Sequence, residues 1–124
     1  MTTAFYCVLA AGLMPILWTG VAKARGPRYN NFNVRLWQSN LEGLAQRAHA
    51  AHLNSFEAFP LFAAAVIVAQ MTGANQARVD LLALSFIGLR VVYGLLYLAN
   101  KAALRSLVWM AALACSIMIF VAGP

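Results

Sequence analysis

The sequence predicts an all-α integral membrane protein, a bundle of four spanning helices. Three observations lead there. Of its 124 residues, 63% are hydrophobic and only 10% charged, where a soluble domain carries about a quarter. Mean hydropathy is +0.74. The apolar residues gather into four runs, each near the ~20 residues that a helix needs to cross hydrocarbon. Four spans with their connections account for the whole sequence, as one domain over residues 1–124. The net charge of +6 does not point to nucleic acid. The basic residues flank apolar runs and are not interleaved with aromatics on one face, the pattern of cations that orient a membrane protein.

The first run, Ala4 to Ala22, is uncharged. Its positive charges follow it, opposite to the order of a signal peptide, so it reads as a retained span with the N-terminus outside. Pro15 in its interior removes a backbone hydrogen bond, which membrane helices tolerate when neighbours supply partners. Lys23 to Asn40 reads as a loop, marked by Gly26-Pro27 and an asparagine cluster. Ser39 or Asn40 would cap the next helix, with Glu42 in its first turn. Leu41 to Met71 reads as one long helix, amphipathic then fully apolar, with Pro60 bending it. Thr72 to Gln76 is a turn around Gly73, Ala77 to Ala99 the third span, Asn100-Lys101 a tight connection, and Ala102 to Ala122 the fourth span. Cys7 and Cys115 lie inside apolar runs, with no disulfide framework or metal spacing, and read as small buried hydrophobes.

Orientation follows from the connections. Lys23, Arg25, Arg28 and Arg35 lie in the first, Lys101 and Arg105 at the third, and only Arg78 at the second. Basic residues favour the cytoplasm, so the first and third connections face it and both termini face outward.

The polar residues of the spans need explaining. Arg47, Asn54 and Glu57 share one face of the second helix, and His49, His52, Phe56 and Phe59 an adjoining one. Arg90, Tyr93 and Tyr97 share a face of the third. Arg90 precedes Asn100 by roughly 15 Å of helix, deep enough that an unpaired charge costs ~2.5–3.5 kcal/mol or more. Glu57 is the carboxylate at comparable depth, which predicts a Glu57–Arg90 ion pair with Asn54 nearby. Two readings of this group stand: a polar network tying two helices together, or the wall of a cytoplasm-facing site for an anionic ligand. Tyr93, Tyr97 and Arg105, nearer the membrane surface, fit either that site or a headgroup belt. His49 and His52 lack a third metal ligand and read as interfacial histidines. No Ser–His–Asp set, phosphate loop or carboxylate pair stands out.

Arg47, Ala51, Asn54, Glu57 and Pro60 spell R-x-x-x-A-x-x-N-x-x-E-x-x-P. This resembles the second-helix signature of the MAPEG superfamily, the membrane-associated proteins of eicosanoid and glutathione metabolism. "LRVVYGLLYLANKAALRS" is similar to the family's third-helix motif and the cationic turn after it, with Arg90, Tyr93, Tyr97, Arg105 and Ser106 on the matching positions. The resemblance covers essentially the whole chain, and "NSFEAFP" is similar to the small bacterial branch. It implies a homotrimer in the bacterial inner membrane, with glutathione as co-substrate between subunits near the cytoplasmic face. It implies a binding set of Asn54, Glu57, Arg90, Tyr93 and Tyr97, with Arg47 and Lys23 or Arg25 on the carboxylates. Arg105, nearest the sulfur, would favour the thiolate, and Ser106 could donate to it instead. Arginines suit carboxylates through bidentate bonds. A lipophilic co-substrate would enter between the first and fourth spans. The implied activity is a glutathione transferase or peroxidase acting on lipophilic electrophiles. The alternative is a non-enzymatic scaffold binding lipid or a partner. A four-span exporter fits poorly, because the first span carries no carboxylate. One departure stands out: where glutathione-binding members often carry a second arginine between Arg47 and Asn54, this chain has Ala50 and Ala51.

Overall fold

The computed structural model describes residues 1–124 as five helices: α1 (Thr3–Arg25), α2 (Val34–Ser39), α3 (Gly43–Met71), α4 (Gln76–Leu98) and α5 (Ala102–Phe120). All but α2 are long and apolar enough to cross a membrane. At 1.5 Å per residue the 29 residues of α3 reach about 43 Å, beyond the ~30 Å of hydrocarbon. Its polar first turns therefore project past the apolar slab.

α1 starts at Thr2, whose hydroxyl accepts the Phe5 N–H, and runs unbroken through Pro15. Pro15 leaves the Ala11 carbonyl without its usual N–H partner. A neighbour supplies a bond one turn later: His52 Nδ1 donates to the Pro15 carbonyl at 2.9 Å. A carbonyl only accepts, so His52 must carry its proton on Nδ1. His52 is thus tied to the first span and is not a free interfacial side chain.

The first connection differs from a plain loop because it folds into α2. Asn33 caps it by accepting the Leu36 N–H. Ser39 and Asn40 close α2 and do not cap the next helix, which begins after Glu42 with no side-chain cap. Gly43 takes φ +59 there, a conformation glycine adopts without steric cost. Trp37 is the reason this segment is ordered. Its ring is buried with Ala22, Leu41, Ala45 and Ala48, and its Nε1 donates to the Pro27 carbonyl at 3.2 Å.

α3 and α4 both end in left-handed turns that satisfy their last carbonyls. After α3, Gly73 has φ +71 and the Ala74 N–H reaches Ala69. After α4, Asn100 has φ +59 and the Lys101 N–H reaches Leu96. Each is the glycine-or-asparagine helix ending with 6→1 and 5→2 bonds, and each folds the next span back at once.

Packing uses small residues. α1 and α3 form the most extensive pairing. Ala4, Cys7 and Ala11 share a buried cluster with Ala65, and Ala22 shares one with Ala45 and Ala48. Small side chains let backbones approach closely where lipid offers no hydrophobic drive to pair. The main apolar cluster lies toward the α3–α4 turn, with Phe62 and Phe86 stacked at 3.9 Å between centroids. At that end Asp80 Oδ1 accepts the Ala4 N–H at 2.9 Å and Gln76 Nε2 at 2.7 Å. The carboxylate sits at the positive end of α1 and clasps α1 to α4. Large apolar side chains such as Leu9, Ile16, Leu84 and Met110 face outward, the natural arrangement in lipid.

Candidate functional site

α3, α4 and α5 enclose a pocket of about 230 Å³, lined by Asn54, Glu57, Ala58 and Leu61 from α3, Arg90 from α4, and Trp109, Leu113 and Ser116 from α5. Arg90 is its buried polar anchor, 2% exposed. Its Nη2 donates to Asn54 Oδ1 at 2.6 Å, and its guanidinium lies 4.3 Å over the Tyr93 ring. One strong hydrogen bond and an aromatic face are the partners that a buried cation requires.

The expected Glu57–Arg90 ion pair does not form. No cationic nitrogen in the chain comes within 4.0 Å of a carboxylate oxygen. Asn54 takes the guanidinium because it lies level with Arg90 across the α3–α4 contact. Glu57, one helical turn further along, lies at the pocket with its side chain exposed. It therefore has no partner within its own chain.

Tyr93, Tyr97 and Arg105 do not line the pocket; they extend from Arg90 toward the α4–α5 turn as a column. Tyr93, buried, meets Tyr97 edge-on at 5.8 Å. The Arg105 guanidinium lies 4.0 Å over the Tyr97 ring. Asn54, Arg90, Tyr93, Tyr97 and Arg105 thus form one unbroken run of contacts from α3 through α4 to the start of α5. The run ends in a cation at the membrane surface. The tight Asn100 turn makes this possible by returning α5 along α4.

The other expected site residues stand apart. Arg47 spends its Nε–H on the Leu98 carbonyl at 3.2 Å, where a cation also suits the negative end of α4. Lys23 lies 4.2 Å over the Tyr29 ring. Arg25 and Ser106 are exposed and make no side-chain hydrogen bond. None of these four lines the pocket. His49 stacks on His52 at 5.6 Å, with its own Nδ1 buried and unpartnered.

Sequence reasoning missed the α5 wall of Trp109, Leu113 and Ser116. A spacing of four and three puts them on one helical face, but a lone serine and a tryptophan in an apolar run carry no signal until α3 and α4 are set opposite. It also missed His52 as a partner for Pro15. The proline did not point to it, because the carbonyl that Pro15 frees is that of Ala11, while His52 bonds the carbonyl of Pro15 itself.

A helical membrane bundle, with a buried arginine between spans and an arginine-capped tyrosine pair at one surface, defines a polytopic membrane protein with a polar intramembrane pocket. The MAPEG family matches residues 3–123, and the chain belongs to that family. No curated protein and no solved structure matches it. The family consists of membrane proteins that include glutathione transferases and peroxidases, and the chain is accordingly an integral membrane protein.

Proposed function

We propose that this protein is a glutathione-dependent transferase or peroxidase of lipophilic electrophiles, working as a homotrimer in a bacterial inner membrane with its site toward the cytoplasm. The observation that carries the reading is the column Arg90–Tyr93–Tyr97–Arg105. It carries the Arg90 charge by way of two tyrosines to a cation suited to favouring a thiolate over a thiol. The glutathione thiolate attacks an electrophilic carbon, forming a C–S bond as the leaving group departs with the bonding electrons. With a hydroperoxide it attacks the terminal oxygen, the O–O bond breaks to release the alcohol, and a second glutathione converts the resulting sulfenic acid to disulfide and water. Arg105 stabilises the sulfur's negative charge before the bond forms, and Ser106 lies beside it in sequence to donate a hydrogen bond. Glu57, without a partner in its own chain, is free to meet the glutathione ammonium. Asn54, Tyr93 and Tyr97 complete the contacts. Lys23, Arg25 and the remaining donors of Arg47 supply cations for the carboxylates from the same end of the bundle or from a neighbouring subunit.

Calorimetry with glutathione in detergent tests binding. Conjugation of a generic aryl halide and the thiolate absorbance test chemistry. Arg105→Ala should lower conjugation about a hundredfold or more, the usual cost of losing one electrostatic stabiliser, with the oligomer intact by size-exclusion chromatography. Absence of glutathione binding to the unaltered protein would sink the proposal. The second reading is a non-enzymatic scaffold for lipid or a partner. It is favoured by the engagement of Arg47 at Leu98 and by Ala50 and Ala51 on α3, which leave fewer cations for carboxylates. Glutathione binding without conjugation or a thiolate band would select it.

A further inference from the structure

The segment between α1 and α3, residues 26–42, carries a surface that the proposed thiol chemistry does not use. The buried Trp37, bonded to the Pro27 carbonyl and packed edge-on against Tyr29 at 5.1 Å, holds it in shape. Outside that anchor stand two apolar side chains. Phe32 is fully exposed, and Leu36, four residues on, is exposed too. Arg28 and Arg35 flank them, both exposed. No acidic residue occurs anywhere before Glu42. Because both ends of the segment enter spanning helices, it must lie at the boundary of water and hydrocarbon.

Arg28, Tyr29, Asn30, Asn31 and Phe32 enclose an open hollow of about 390 Å³. Both of its asparagine side-chain oxygens hold a hydrogen bond. Asn30 Oδ1 accepts the Phe32 N–H at 3.0 Å, and Asn31 Oδ1 accepts the Tyr29 hydroxyl at 3.3 Å. A backbone N–H can only donate, so Asn30 must present its oxygen inward and its NH₂ away. The lining adds two amide NH₂ groups and the Arg28 guanidinium, which makes no hydrogen bond within the chain, and it holds no carboxylate. A cationic hollow without a carboxylate, beside two bare apolar side chains, suits an anionic oxygen group attached to hydrocarbon. We propose that this surface holds the phosphate of an anionic phospholipid, with Phe32 and Leu36 among its acyl chains.

Native mass spectrometry of the full chain in neutral detergent provides the test, with dioctanoyl phosphatidylglycerol, dioctanoyl phosphatidylcholine and glycerol phosphate as probes. Each cation at an anionic lipid surface strengthens association about fivefold. Phosphatidylglycerol should therefore be retained at least about fivefold over phosphatidylcholine. Arg28→Gln with Arg35→Gln should abolish the preference, and Phe32→Ser should weaken phosphatidylglycerol retention. Arg78→Gln, at the other end of the bundle, should change nothing, and helix content by circular dichroism should match in every variant. Equal retention of the two lipids would overturn the proposal, as would a preference that survives the double substitution. Glycerol phosphate competing as well as the intact lipid would overturn it too, by assigning the hollow to a free anion.

Discussion

At the scale of the residue, Arg90 decides the most. It was the charge that demanded a partner, and its position and burial were readable from spacing alone. Its partner was not. Asn54 and Glu57 occupy the same predicted face of α3, and one turn separates a neutral amide from a carboxylate. The vertical offset between α3 and α4 chooses between them, and that offset depends on the α3–α4 turn geometry, which spacing within one helix does not contain. The consequence is testable. Asn54→Leu strands a buried guanidinium N–H and should cost about 1–3 kcal/mol, read as a lower unfolding temperature in detergent. Arg90→Met in the same chain should restore part of the loss, a coupling of about 0.5–3 kcal/mol. Glu57→Gln should leave the unfolding temperature nearly unchanged. A larger effect from Glu57 than from Asn54 would reinstate the ion pair.

At the scale of the element, the helices follow their sequence signals closely, and the ends follow turn chemistry. Gly73 and Asn100 mark left-handed endings, and both are residue types that pay little for positive φ. The short α2 escaped the reading because a six-residue helix has too few turns to show periodicity, and its single strong feature, Trp37, gains meaning only beside Pro27 and Ala45. The packing of α1 on α4 has one position where no side chain fits. Gly94 is buried directly under the Trp18 indole, and a β-carbon there would overlap the ring. Gly94→Ala should destabilise by about 1–3 kcal/mol through overpacking. Trp18→Leu combined with it should recover part of that loss. Equal melting of Gly94→Ala and the unaltered protein would show that the indole can move aside at no cost.

At the scale of the whole molecule, the family, the membrane class and the four spans were legible from composition and from two motifs, because both depend on local order along the chain. The pocket was legible only on its α3 and α4 sides. The folded chain also buries both thiols, Cys7 and Cys115, within its main apolar cluster. A thiol-reactive fluorescent maleimide should therefore stay dark with the folded protein and light up only as it unfolds, tracking the loss of helix on heating. Labelling below the transition would mean that the cluster opens. The Asp80 clasp carries a last consequence, for how the protein is made. The Ala4 amide and the carboxylate that receives it lie 76 residues apart in the chain. A nascent chain threads the first span into the bilayer long before the ribosome has added Asp80. Until that residue arrives the leading end of α1 has no receptor, so α1 pairs with α3 first and has its start fastened only when α4 is made. A chain cut between Met71 and Asp80 should keep α1 paired with α3 and yet leave its leading end loose.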